Sequence, residues 1–529
     1  MNGDAGRRTR GSGRGAARAG MAAVLAAAAL AAGCAGPPEP PARAVTWLAA
    51  RPMPAFDPGA PPDPLRESLE RLLTRGLVER DSSGAAVPGA AERWSVSEDG
   101  LTWTFTLRAG LSFTDGAPCS SAHFARAIAS ALARQDHGTA VWALGAVRGV
   151  EAIRPRRPLP ALGLETPDAR TLILRLAQAE PRLAERLALP GLAAAWRSLA
   201  PARGWEEAVG LGPYRVARAE EARLTLLRAD GTPPGRVADT LRVRFAPGAA
   251  RVRAAMRAGS VDVVWPLPPG LLEEPLPPGW AAWSGPSDPP RRLTLVMRED
   301  TPPTSRLAAR RALAHGLNRP DLLRALGLHS TMEVRWLDGA PPFTFPSLDA
   351  REVHAWLERG RLGRSFHVAM AYDADGAGAE IARRMQGEWA RFGLYVELMP
   401  LRGQALASEL LSGWRSHLAL VEATPLGRGE DGLSTVVHPL RGPAVGSFRT
   451  AWRTREFDAW LAPRGERPPF DAAAAQRRLE DELVVLPLAR LDWRMAARED
   501  APRPALDPAF GPDFRVAPDG AGWSRIPGR

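Results

Sequence analysis

Residues 92–132, ERWSVSEDGLTWTFTLRAGLSFTDGAPCSSAHFARAIASAL, carry three local signals in succession: a hairpin, a turn and a helix. Leu101, Trp103, Phe105 and Leu107 alternate with Thr102, Thr104, Thr106 and Arg108, the two-residue period of a strand with one buried and one wet face. Trp94 and Val96 continue the alternation before Asp99-Gly100, a pair suited to the positive φ angles of a tight hairpin turn. A second Asp-Gly, Asp115-Gly116, ends the sheet segment. Beyond Pro118, Ser120 or Ser121 is placed to cap a helix whose apolar face is Phe124, Ile128 and Leu132, four residues apart on one side.

The order of these signals resembles the family 5 extracellular solute-binding proteins, the oligopeptide and dipeptide receptors of ABC importers. The resemblance extends in both directions. GLVERDSSGAAVPGAAERW (76–94) precedes the block, and Gly210-Leu211-Gly212-Pro213-Tyr214, AARVRAAMRAGSVDVVW (249–265), LAARRALAHGLNRPDLL (307–323) and VVLPLARLDW (484–493) follow it in the family's order. It covers about Leu65 to Trp493 in pieces. The fold it implies is α/β, bilobed and periplasmic-binding-protein-like (class II, cluster C type), with an extra inserted subdomain. On that reading 45–74, 206–290 and 482–529 form lobe I, 75–205 the inserted subdomain and 291–481 lobe II.

Outside the opening block, periodicity alone predicts a helix striped by Leu65, Leu69, Leu72 and Leu73, with Glu67 and Glu70 outside. Leu241–Phe245, Ala249–Ala258 and Val261–Trp265 read as strand, helix and strand, which implies parallel neighbours. A second such unit runs through Phe366, Val368 and Met370, then the helix face Ile381, Met385, Trp389 and Phe392, then Leu394, Val396 and Leu398. Proline-dense 266–290 reads as an extended connector between lobes. The Gly-Leu-Gly-Pro-Tyr stretch reads as a tight turn, because Pro213 lacks the backbone donor an anion cradle needs.

Composition narrows the class. A chain of 529 residues, 45% hydrophobic and 24% charged, is long enough for two or three domains and too ordinary to be disordered or fibrous. Arg7, Arg8, Arg10, Arg14 and Arg18 precede the apolar run Met21–Ala32, the pattern of an export signal too short for a permanent span. The run ends Leu30-Ala31-Ala32-Gly33-Cys34, which resembles a lipobox, so 1–34 is expected as a lipoprotein signal peptide with Cys34 lipidated and 35–44 as a tether. Leucine stands four places before the cysteine where three is commoner, and ordinary signal-peptidase cleavage is the alternative. Cys119 is the one other cysteine, so no disulfide framework is available. The formal charge of +11 falls to about +7 without the leader, and all 69 basic residues are arginines scattered among 58 acids. That is a solvated mixed surface and not a nucleic-acid groove.

Catalytic signatures are missing. The eight histidines include no His-Glu-x-x-His, two cysteines cannot form a thiolate cage, and there is no nucleophile elbow or Walker loop. His123 and His315 sit in predicted helices as packed or surface residues. The pairs Glu220-Glu221 and Glu273-Glu274 are adjacent and point apart, whereas acid–base work needs convergence. No enzyme, cofactor or metal is expected.

What the family resemblance implies for a site is different: aromatic walls around a wet cavity, with backbone groups gripping a peptide in strand fashion. Trp142, Trp414 and Trp452, among seventeen tryptophans, fall in segments similar to regions near the family's cleft. The family's usual Trp and ammonium-pairing Asp are both absent from Ser416–Pro425; Glu422 is the nearest acid, with Glu430 and Asp431 beyond it. Arg415 or Arg428 is placed to meet a ligand carboxylate. The resemblance thus implies a monomeric receptor that captures a peptide or similar small solute and hands it to an ABC permease driven by a nucleotide-binding subunit, in the periplasm or at the outer face of the cytoplasmic membrane. The alternative is an envelope lipoprotein of the same fold that has lost transport and acts as sensor or assembly partner.

Overall fold

The computed structural model describes residues 43–526 apart from 58–62, 82–84, 134–137, 154–156, 190–191, 200–203, 234–236, 269, 273, 289, 326–333, 338, 364, 375, 377, 403–404, 407–408, 411–414, 424–453, 461–467, 508–510 and 516–519. Strand β1 (Ala44–Ala49) is buried on both faces: Trp47 packs into one core and Leu48 into another. That two-sided burial is what a central strand of a parallel sheet requires. The helix Pro64–Leu73 follows, capped by Asp63 and started by Pro64, and sends Leu65, Leu69, Leu72 and Leu73 into the Trp47 core.

The chain then leaves this sheet. It forms β2 (Val78–Arg80), β3 (Ala86–Pro88), β4 (Ala91–Val96), β5 (Thr102–Leu107), β6 (Leu164–Glu165) and β7 (Thr171–Arg175). β2 and β3 pair as a ribbon, and a separate four-stranded sheet has the order β4-β5-β7-β6. The β4–β5 hairpin matches its sequence pattern: Gly100 has φ +70°, and Trp103, Phe105 and Leu107 are buried while the threonines are half-exposed. Val96, at the strand's end, is exposed. The helix Ser121–Ala133 buries Phe124, Ile128 and Leu132 against this sheet's core. Ser121 does not cap it; its hydroxyl donates to the Asp168 carbonyl, and Ser120 meets His123.

The main sheet resumes with β8 (Tyr214–Glu220), β9 (Arg223–Arg228), β10 (Thr240–Phe245), β11 (Val263–Val264) and β12 (Trp280–Gly285). Gly210 and Gly212 permit close backbone approach, since a Cβ on either would lie 2.3–2.4 Å from a carbonyl oxygen at the end of the helix Pro64–Leu73. The strand–helix–strand unit through Ala249–Arg257 is parallel, but β10 and β11 are not neighbours: β1 lies between them and pairs with both. The proline-rich connector likewise contains a strand, β12.

β13 (Arg291–Met297), β14 (Phe366–Asp373), β15 (Leu394–Leu401), β16 (Leu418–Ala423) and β17 (Val485–Leu491) build the second lobe as a five-stranded sheet, order β15-β14-β16-β13-β17. β14 and β15 are direct parallel neighbours around the helix Gly378–Ala390, whose Ile381, Met385 and Trp389 are fully buried. The boundary expected at 481/482 falls too early, because β17 still belongs to this sheet.

The chain changes lobe at Asp492. β18 (Trp493–Arg498) inserts between β12 and β11, followed by the β19 (Ala505–Asp507) and β20 (Gly511–Asp513) hairpin and by β21 (Ser524–Arg525) on the edge. The main sheet therefore reads β21-β12-β18-β11-β1-β10-β9-β8. The helix Pro64–Leu73 contacts β8 and β20, and its Glu70, expected outside, is buried beside Arg66. Its leucine stripe faces one core while Arg71, on another side, meets Asp507 of β19 at 2.6 Å, a partner that the periodicity of one helix does not reveal.

Candidate functional site

Ligand crevices in α/β sheets form beyond the carboxyl ends of parallel strands, where loops and helix amino termini converge. Each lobe supplies one such end. β1 is parallel to β10 and β11, and Arg51 lies just beyond its carboxyl end. β14 is parallel to β15 and β16, and Asp373 closes it. The two ends meet: Arg51 Nη2 donates to Asp373 Oδ2 at 2.7 Å, and Nη1 stands 3.6 Å from Asp63 Oδ2. Asp63 is the N-cap of Pro64–Leu73, its Oδ1 accepting from Arg66 N at 2.8 Å. The three side chains remain partly exposed, at 18–25%.

Behind this ion-paired seam the environment dries. Arg66 Nε lies 3.3 Å from Glu70 Oε1, yet burial pushes the Glu70 carboxyl up to about 8 against the pull of Arg66. Burial likewise raises Glu67 to about 7.

A second seam forms where the chain crosses between lobes, after β12 and after β17. Ser287 Oγ donates to the Leu491 carbonyl at 2.9 Å and accepts from Arg291 N at 2.9 Å, so one hydroxyl ties both crossings. The Arg291 guanidinium lies 4.0 Å above the Trp493 ring and is hydrogen-bonded to Glu422. Trp493 packs on Trp265, Trp265 on Trp47, and Trp47 on Phe514, with centroid separations of 5.0–5.8 Å.

The expected site residues distribute unevenly. Glu422 reaches the crossing seam, near the carboxyl end of β16, and is engaged by Arg291. Arg415 stands at the other end of that strand, its side chain 89% exposed and its backbone N donating to buried Glu409 at 2.6 Å. Trp142 lies on the helix Gly138–Ala143. Trp414, Arg428, Glu430, Asp431, Trp452 and Cys34 lie outside the described residues. Among the described residues ten tryptophans are buried, which makes packing the commoner role of indole there. Sequence reading missed Arg51, Asp63, Asp373 and Arg291. One signal was available: Arg51 and Asp373 are the first charged residues after apolar strand patterns.

At the amino ends of β14 and β15, away from the Asp373 end, a cavity of about 580 Å³ is lined by His367, Ala369, Gln386, Tyr395, Glu397 and His417. His367 stacks on Tyr395, and burial lowers the His417 pKa. Among the described residues no cluster of three or more His, Cys, Asp or Glu is arranged to hold a metal, and no helix is long and apolar enough to cross a membrane.

Comparison with known proteins bears on the family and the fold. Residues 85–425 match the family model described as bacterial extracellular solute-binding proteins, family 5 middle. A putative binding protein of Haemophilus influenzae is 29% identical over 154 residues, 29% of each chain. The Escherichia coli periplasmic murein peptide-binding protein is 33% identical over 109 residues, 20% of each. The chain thus spans under a third of these first curated relatives. In three dimensions the E. coli murein tripeptide binding protein superposes with TM-score 0.73 at 17% identity, over 92% of this chain and 99% of that one. Haemophilus influenzae OppA, solved with the peptide RPPGFSPFR, gives TM-score 0.73 at 16% identity, over 92% and 100%.

Proposed function

The chain belongs to the bacterial extracellular solute-binding proteins of family 5, and from that premise we propose that it captures a peptide or similar small solute between its lobes for an ABC importer. The observation that carries this reading is the meeting of two parallel-strand carboxyl ends, one from each lobe, at Arg51 and Asp373. A solute lying there touches both lobes only when they close, so buried ligand surface and closure are coupled. No bond is made or broken. The solute passes to a permease and its nucleotide-binding subunit, and the receptor acts as a monomer.

The export pattern at 7–32 and the cysteine at 34 support anchoring of the receptor by lipid at the outer face of the cytoplasmic membrane. Labelling with a palmitate analogue tests the anchor: the wild-type chain takes up label, and equal labelling of Cys34→Ala overturns it.

Thermal melting of the purified chain against a peptide library tests capture. A ligand present at about 100 times its Kd contributes about 2.7 kcal/mol, so a matching peptide raises the melting temperature by a few degrees. Silence across peptides, sugars and nickel complexes overturns the receptor reading. It then favours an envelope lipoprotein of the same fold acting as sensor or assembly partner. The engagement of Glu422 by Arg291 is the observation on that side, since it occupies the acid nearest the family's ammonium-pairing position.

A further inference from the structure

We infer that Arg51 and Asp373 form a releasable latch that sets the balance between open and closed lobes, independently of which solute is bound. The two residues are 322 positions apart and stand on different sheets, each just past or at the carboxyl end of a parallel strand. Their 2.7 Å contact joins the lobes at the strand ends, apart from the two crossings. Closing the lobes makes the pair and opening them breaks it.

Three features make the contact reversible. Arg51 has a second carboxylate on its own lobe, Asp63 at 3.6 Å, so separation leaves the guanidinium beside an acid and does not strand it. Asp63 is in turn fixed as the cap of Pro64–Leu73, so that fallback partner stays in place. Asp373 sits in a tight turn, Gly376 N donating to its carbonyl at 3.2 Å, ahead of the helix Gly378–Ala390. A Cβ on Gly376 would come within 2.9 Å of Asp373 Oδ2, so this glycine leaves the carboxylate room to hold its aim. Partial exposure keeps the pair weak and sensitive to salt. A weak contact suits a switch, because it shifts populations several-fold without locking them.

Small-angle X-ray scattering of the full chain without added ligand reads the balance directly. Arg51→Gln and Asp373→Asn should each enlarge the radius of gyration and lower the closed fraction several-fold, and the double variant should open no further than either single. Far-ultraviolet circular dichroism confirms folding of each variant. Should a variant fail to fold, the wild-type chain still decides: its radius should grow between 50 mM and 1 M NaCl, as screening shortens the electrostatic reach from over 10 Å to about 3 Å. Unchanged radii in both single variants, additive effects in the double, or a radius flat across the salt series overturns the latch. The inference rests on the two-lobed fold alone, so a silent ligand screen leaves it standing.

Discussion

Among the described residues the two lobes touch in two ways, and the contrast between them separates what holds the molecule together from what lets it move. At the crossings the chain itself passes from sheet to sheet. Ser287 binds both crossings, and Arg291 lies between the Trp493 ring and Glu422 over a column of buried aromatic rings. At the strand ends the contact is an ion pair whose members keep about a fifth of their side-chain surface in solvent. Buried apolar area and stacked rings resist salt, whereas partly exposed charges are screened by it. The first arrangement fits a pivot and the second a clasp.

Substitutions can break that contrast from either side. The largest effect is expected at Trp493→Ala, which removes a 3%-exposed indole from contact with Trp265 and Arg291. It should cost about 3–5 kcal/mol, read as a lower urea midpoint. A loss under about 1 kcal/mol would remove the pivot from the account of stability.

Next comes pH, which should act behind the clasp. Glu70 has a folded value near 8 against an ordinary 4.5, so the folded state holds its proton more tightly than the unfolded chain does. Its contribution is fully present below pH 4.5 and is lost as pH rises towards 8. The ceiling is about 1.4 kcal/mol per pH unit. The melting temperature should fall between pH 5.5 and 8.5, and Glu70→Gln should flatten the decline; an equally steep profile in the variant would assign the dependence elsewhere.

Glu422→Gln should have the smallest of the three effects. It leaves Arg291 stacked on Trp493 but facing a neutral amide, at about 1–2 kcal/mol in the urea midpoint. Because this contact belongs to the pivot, the radius of gyration should stay at the wild-type value. A variant that opens the lobes would merge the two seams into one.

How much of this was legible in the sequence depended on the distance over which each contact forms. The hairpin around Gly100, the helix Ser121–Ala133 and the unit β14–helix–β15 are built from neighbours, and their two-residue and 3.6-residue periods gave them directly. The insertion of β1 between β10 and β11 was not legible, because a strand nearly 200 residues earlier occupies the place that local pattern assigns to a neighbour. β12 was hidden for the same reason: flanked by prolines, it acquires its partners from β18 and β21 far down the chain. Glu70 was misplaced because the periodicity of one helix shows its apolar stripe and not what the rest of the chain lays over its other sides. At the candidate site, Glu422 stood out in the sequence only by its place in the family's order, which says nothing of what it contacts. Its partner Arg291 was not legible, and neither was the pairing of Arg51 with Asp373, since a charge at a strand end carries no mark of its counterpart.

The position of β18 has a consequence for how the polypeptide comes together. It lies between β11 and β12 in the main sheet, so the first lobe lacks an interior strand until residues 493–498 exist. A nascent chain can complete all five strands of the second lobe while the first still has a gap in its middle. Maturation then runs against the order of synthesis: the portion made earliest is the last to be sealed.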